Sequence, residues 1–192
     1  MKVALGISNH HVHVTREHLN ILYGENYELA PKKPLNQIGQ YASEETVTIK
    51  TQKGEMNNIR ILGPVRPYTQ VEISKTDAIK LGLNPPLRDS GDVKNSSPIT
   101  IIGPKGTVEL TEGCIIATRH IHITPEEAKE KGLENIKEVQ VKIDGPKGGI
   151  MDHVSVKIAP NSYYEMHIDT DDANAHFLSN NDEVEIIIPN GN

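Results

Sequence analysis

A chain of 192 residues with 36% apolar and 24% charged residues can bury a real core, as one large domain or two small ones, and has the composition of a soluble globular protein. Its net charge of −6 argues against a nucleic-acid surface or an anionic membrane as partner, and no apolar run reaches the roughly 18 residues needed to cross a bilayer. With no Trp, one Phe and six Tyr the core has to be aliphatic, and the single cysteine, Cys114, excludes an internal disulfide framework and suits a reducing cytoplasm.

The chain opens on "VALGISN" (3–9), too short an apolar run for a signal peptide, and passes straight into "HHVHV". "TREHLNILYG" (15–24) has a short helical pattern. Strand-like segments rich in β-branched residues follow at "ETVTIKT" (45–51), "NNIRILG" (57–63) and "TQVEIS" (69–74), then a helical "TDAIKLGL" (76–83). "PITIIG" (98–103), "GTVEL" (106–110) and "GCIIAT" (113–118) continue the strands, with a "GPKG" turn at 103–106. "TPEEAKEKGL" (124–133) is again helical. "KEVQVKI" (137–143), "DHVSVKI" (152–158), "YYEMHI" (163–168) and "DEVEIII" (182–188) are strands, interrupted by "GPKGG" (145–149) and a helical "DTDDANAHFL" (169–178). Many short strands and four short helices predict a mainly β fold, barrels or sandwiches rather than alternating β/α units.

The chain contains a faint internal repeat. "HVHVTREHL" (11–19) matches "HIHITPEEA" (120–128) as H-x-H-x-T-x-E, and "VALGISN" (3–9) before it resembles "GCIIATR" (113–119). Further on, "QVEISKTDAIKLGL" (70–83) aligns with "EMHIDTDDANAHFL" (165–178), which sets Glu72 against His167. Each half therefore supplies an H-x-H pair and one more ligand-type residue: His11, His13 and Glu72 in the first, His120, His122 and His167 in the second.

In a strand, residues i and i+2 share a face, so both imidazoles of an H-x-H pair can converge on one ion. A third ligand from a neighbouring strand completes a three-residue set that leaves coordination positions open, the pattern of a catalytic metal site. Five His and one Glu suit Zn²⁺ best, with Co²⁺, Ni²⁺ or Fe²⁺ as other occupants. A lone H-x-H is more often a pair of surface histidines; two copies at equivalent positions shift the balance to metal binding. His10, His18, His153 and His176 lack such partners and read as structural or solvent-facing. "TPEE" (124–127) is a capping box, so the second ligand strand ends where a helix begins, with Glu17 and Glu126 on helix N-termini. H-x-H-x3-E also opens the cupin motif, but neither half carries the later turn with a fourth ligand histidine.

"GPVRPYTQVEIS" (63–74) places Arg66 six residues before Glu72. A guanidinium near metal ions matches two phosphate oxygens at once; a surface salt bridge accounts for it equally well. Two divalent ions against one ligand carboxylate leave a charge of about +3, which favours small anions such as phosphate.

In combination, "SNHHVHV", "GPVRPYTQVEIS", "RDSGD", "ATRHIHITPEEA", "DHVSVKI" and "MHIDTDDANA" resemble, in that order and over essentially the whole chain, the phosphate propanoyltransferases of propanediol-utilisation systems. The resemblance implies reversible transfer of a short acyl group between coenzyme A and phosphate at a two-zinc site. It implies one zinc on His11, His13 and Glu72, the other on His120, His122 and His167, phosphate on Arg66, and Ser90 of "RDSGD" lining the active site. For coenzyme A it implies contacts from Ser8, Asn9, Lys33, Arg60, Leu62, His167 and Asn174. The implied fold is two small β-barrels capped by short helices, residues 10–117 in one and 1–9 with 118–192 in the other, assembled as a homodimer or larger. Encapsulated members carry an N-terminal targeting extension; none precedes the histidines here, so a free cytoplasmic enzyme is expected. His10 stands where an Arg is common in the family. Two other readings are a binuclear metallohydrolase, whose usual barrel is larger than this chain, and a non-catalytic module that binds metal or coenzyme A.

Overall fold

The alternating segments close into two six-stranded barrels in the computed structural model, which describes residues 1–188. In chain order the elements are β1 (Lys2–Ser8), β2 (His11–His13), α1 (Arg16–Tyr23), β3 (Pro31–Pro34), β4 (Tyr41–Lys50), β5 (Glu55–Gly63), β6 (Gln70–Glu72), α2 (Lys75–Leu81), β7 (Leu87–Arg88), β8 (Ser97–Ile102) and β9 (Thr107–Ala117). They continue as β10 (His120–Ile123), α3 (Pro125–Glu130), β11 (Glu138–Ile143), β12 (Gly149–Ile158), β13 (Glu165–Asp169), α4 (Thr170–His176) and β14 (Glu183–Ile187). The chain divides into two units, Asn9–Ala117 and Met1–Ser8 with the segment from Thr118 onward. The fold is mainly β, as the sequence predicts.

One barrel closes as β4-β5-β2-β6-β9-β8 and back to β4. The other closes as β11-β12-β10-β13-β1-β14 and back to β11. Position by position the two orders agree in strand direction: β2 runs parallel to β5 and antiparallel to β6, and β10 runs parallel to β12 and antiparallel to β13. β9 lies parallel to β6 as β1 lies parallel to β13. Val71 pairs with Cys114 and Met166 with Leu5, so Leu5 corresponds to Cys114, one residue earlier than the alignment of 3–9 with 113–119. The strand that leads into each H-x-H pair belongs to the opposite unit in chain connectivity.

Each barrel buries one aliphatic cluster. Val47, Ile49, Ile59, Ile61 and Ile101 contribute to the first, and Leu5, Ile121, Val139, Val141 and Ile186 to the second. Completely burying such a side chain stabilises by about 1.5–3 kcal/mol. Val12 and Ile121, between the paired histidines, are wholly buried in these cores, which fixes the register that turns the flanking histidines to the opposite face.

The departures from the predicted elements have clear causes. The segments 106–110 and 113–118 form one strand, β9, because Gly113 at φ +149° lets the chain bend without stopping; its N–H donates to Ser96 Oγ at 2.7 Å. The pairing jumps there from Ile99–Leu110 to Ser97–Cys114. β3 carries two prolines and no buried residue, so no pattern announced it; among the described residues it pairs with β4 alone, an edge role that proline tolerates.

The helices are short and begin where strands that carry the candidate ligands end. Thr15, Ser74, Thr124 and Asp169 are their N-caps, each accepting from the backbone N–H three residues on. At Thr124 the capping box is complete, with Glu127 Oε2 accepting from Thr124 N at 3.2 Å. No helix among the described residues is long and apolar enough to cross a membrane.

Two histidine clusters and the family of the chain

In the first unit β2 and β6 are antiparallel, with His11 opposite Glu72 and His13 opposite Gln70. These four side chains therefore share one face, the reverse of Val12 and Val71. His11 Nε2 lies 3.6 Å from Glu72 Oε2, and its Nδ1 is 2.8 Å from the carbonyl of Asn9. A carbonyl only accepts, so Nδ1 carries the proton and Nε2 the lone pair that a metal needs. His13 is turned with Nδ1 3.4 Å from the Leu62 carbonyl. Burial, then His11, then Arg66 push the His13 pKa down to about 2, so the ring is neutral.

The second unit repeats the arrangement. On β10 and β13 His120 stands opposite His167 and His122 opposite Glu165. His120 Nδ1 is 2.8 Å from the carbonyl of Thr118, two residues upstream, as His11 is from Asn9. Its Nε2 is 3.1 Å from His122 Nε2, and one nitrogen from each of His120, His122 and His167 lies within 4.8 Å of the others. Burial, followed by the charge of Lys157, lowers the His120 pKa to about 3. Three converging imidazoles, with the second nitrogen of His120 held by a backbone carbonyl and a nitrogen of His167 by Glu165, are a donor set that fits a divalent transition metal. Among the described residues this is the one group of three drawn together as a ready metal site; the first is more open, with His13 turned toward Leu62.

Arg66 sits beside the first cluster. Its backbone N–H donates to Val14 O at 2.8 Å, anchoring the 63–69 loop to the end of β2. The guanidinium is half-buried and donates to Tyr68 Oη at 2.9 Å and to Gln40 Oε1 at 3.1 Å. Both partners are neutral, and among the described residues Arg66 makes no ion pair, so the salt-bridge alternative is not what the structure shows. Ser90 is tied to the same cluster through Gln70, whose Nε2 donates to Ser90 Oγ at 3.0 Å and to Glu72 Oε2 at 3.2 Å. Gln70 Oε1 accepts from Gly91 N at 2.7 Å.

A family model described as phosphate propanoyltransferase matches residues 4–179. The chain belongs to the phosphate propanoyltransferase family. It is 48% identical over 186 residues to the phosphate propanoyltransferase of Thermotoga maritima, covering 96% of this chain and 89% of that one. The phosphate propanoyltransferase of Rhodopseudomonas palustris is 47% identical over 185 residues, 96% of this chain and 82% of its own. That of Citrobacter freundii is 43% identical over 174 residues, 90% and 82%. As a phosphate propanoyltransferase family member the chain is an enzyme, a transferase.

The remaining candidate residues of this phosphate propanoyltransferase family member fall in each unit as follows. Lys33 pairs with Ala42 and Ala42 with Leu62, so Lys33 and Leu62 lie in one row across β3, β4 and β5. Arg60, two residues before Leu62 and opposite His11, uses Nη1 on the carbonyls of Ser43 and Glu44 at 3.0 and 2.9 Å. In the other unit Ser8 ends β1 opposite Asp169, and Asn174 is exposed on α4. Asn9, which begins the first unit, offers its carbonyl to His11 and its Oδ1 to His10 N.

The histidines set aside as non-ligands each have a partner of another kind: His10 with Asp77 at 3.0 Å, His18 with Thr69 Oγ1 at 2.7 Å, His153 with Glu138 at 3.0 Å and His176 with Lys147 O at 3.0 Å. His10–Asp77 has a repeat counterpart in Arg119–Asp172, a bidentate pair at 2.7 and 2.8 Å. Histidine at position 10 thus keeps a link to α2 that corresponds to the one Arg119 makes to α4. Cys114 is wholly buried and its thiol is pushed up to about 12 by burial, which leaves it no role as a nucleophile. Sequence reasoning passed over Gln70, Glu165 and Gly6. The signal for the first two was present, since the repeat aligns them with each other two residues before the third ligand.

Proposed function

We propose that this enzyme transfers a short acyl group, propanoyl or acetyl, reversibly between coenzyme A and inorganic phosphate, with one zinc ion held by His11, His13 and Glu72 and a second by His120, His122 and His167. The observation that carries the reading is the repeated His face, with His11 and His120 each held by a backbone carbonyl, together with the guanidinium of Arg66 held by two neutral side chains beside the first cluster. Co²⁺, Ni²⁺ or Fe²⁺ would suit the same ligands.

When bound, zinc supplies Lewis acidity toward the thioester oxygen and the departing thiolate. The chain's own residues do the rest. Arg66, held by Tyr68 and Gln40, presents guanidinium N–H groups to phosphate and fixes its attacking oxygen. That oxygen attacks the thioester carbonyl carbon, the C–S bond breaks, and coenzyme A leaves as the thiolate while acyl phosphate forms. Ser90, held by Gln70, lines the site, and Ser8, Asn9, Lys33, Arg60, Leu62, His167 and Asn174 contact coenzyme A. The working form is read as a homodimer in the cytoplasm, a compartment that suits the buried free thiol of Cys114.

Release of free thiol from propanoyl-CoA tests the reading. Strict dependence on added phosphate is expected. Thiol release without phosphate would mean a hydrolase, and none under either condition a binding module. Arg66→Ala is expected to abolish turnover with bound zinc intact; near-normal activity would overturn the phosphate role.

A further inference from the structure

The two clusters differ at two positions of the repeat. Where the first has Gln70 and Glu72, the second has Glu165 and His167, and the register of β6 on β2 and of β13 on β10 places each pair identically against its H-x-H. In the first cluster the Gln70 amide donates to the Glu72 carboxylate. In the second the Glu165 carboxylate stands 2.7 Å from His167 Nε2 and, as an acceptor, takes its N–H. The direction of the hydrogen bond is therefore reversed together with the chemistry of the third ligand. We infer that Gln70 and Glu165 are positioning residues, each matched to its own third metal ligand, a donor for the carboxylate and an acceptor for the imidazole.

The physical case rests on burial and on the face. Gln70 is fully buried and Glu165 nearly so, at 4% exposure. A buried carboxylate is costly unless hydrogen bonds satisfy it, and packing alone would be better served by an apolar residue. Both side chains lie on the histidine face, since Val71 and Met166 next to them fill the cores. Gly6, opposite His167, leaves room for the second pair: a Cβ there would come within 2.9 Å of Glu165 Oε2 and 3.0 Å of His167 Cδ2. A ligand whose side chain is already held by a neighbour spends less freedom on binding an ion, and an imidazole that donates to a carboxylate gives more electron density through its other nitrogen. Gln70 has a further task, because its remaining bonds to Ser90 and Gly91 tie the 88–92 turn to the ligand.

This inference rests on the two-zinc reading, and the test keeps the two apart. Zinc is titrated into the metal-stripped full chain against a chelating dye, for wild type and four variants: Glu72→His, Gln70→Glu/Glu72→His, His167→Glu, and Glu165→Gln/His167→Glu. Wild type is expected to take two zinc ions per chain. Each single exchange is expected to weaken one site by roughly tenfold or more, the range typical of lost outer partners. Each double exchange, which restores the match, is expected to recover at least about threefold of that loss, a coupling read as a double-mutant cycle. Glu165→Leu, which keeps every ligand, gives a second measure and is expected to weaken one site, with Glu165→Gln, whose amide oxygen still accepts, weakening it less. A wild-type chain that takes no zinc overturns both the metal reading and this inference. Two tightly held zinc ions with no recovery in either double variant, and no effect of Glu165→Leu, overturn the inference alone.

Discussion

Gly6→Ala isolates the link between barrel packing and the second histidine cluster. The backbone at Gly6 is ordinary β-strand, so alanine meets no conformational strain, and replacing glycine inside a strand favours folding by about 0.5–1 kcal/mol. Against this, the added methyl group would stand 2.9 Å from Glu165 Oε2 and 3.0 Å from His167 Cδ2. Relieving those contacts to van der Waals separation means moving the His167 ring or the Glu165 carboxylate by about 0.4 Å or more. Metal–ligand distances tolerate only about 0.2 Å. The expected result is a loss of roughly tenfold in zinc affinity at one of two sites, about 1.4 kcal/mol, while the melting temperature of the metal-free chain stays the same or rises. Dye competition measures the first and circular dichroism the second. Two zinc ions bound with wild-type affinity would refute the reasoning, since they would show that the His167–Glu165 pair has no need of the space above Gly6.

Other consequences are simpler. Thr124→Ala removes the hydroxyl side of a complete capping box, leaving Glu127 on the backbone N–H of residue 124, and is expected to cost about 1 kcal/mol, measured by urea denaturation of the metal-free chain. Tyr68→Phe deletes one of two neutral partners of Arg66; a rise of several-fold in the KM for phosphate is expected with zinc content unchanged, and an unchanged KM would remove Tyr68 from the account. Cys114, with its thiol near 12, has about one part in 10⁴ as thiolate at pH 8. An alkylating reagent should therefore spare it in the native protein and modify it at once in denaturant; ready labelling of the folded chain would contradict its burial.

The fold class was legible because it depends on local pattern. Alternation in 57–63 and 98–103 matches β5 and β8 to within two residues and that in 45–51 the later part of β4, which begins at Tyr41, and Thr124-Pro125-Glu126-Glu127 announces a helix start that the capping hydrogen bonds make. β3 and β7 escaped because neither buries an apolar face, so their sequences carry no period to read. The break expected between 110 and 113 is a bend within β9, because a glycine in a strand marks a bend as readily as an end. Of the candidate site, the ligand-type residues and Arg66 stood out by residue type and repetition. Gln70, Glu165 and Gly6 did not, because their meaning lies in what they touch across a strand pair.

By itself the sequence determined a mainly β chain, its duplicated H-x-H pattern, and its kinship with phosphate propanoyltransferases. The first two follow from periodicity and from residue types whose chemistry is the same in any fold, and the kinship from the resemblance of motifs taken in order along the chain. Only the tertiary structure decided the pairing of His11 with Glu72 and of His120 with His167, the neutral partners of Arg66, and the reversal of hydrogen-bond direction between Gln70–Glu72 and Glu165–His167. Those depend on strand register, and register is set by the burial of Val12, Val71, Ile121 and Met166 in cores assembled from residues far apart in the chain.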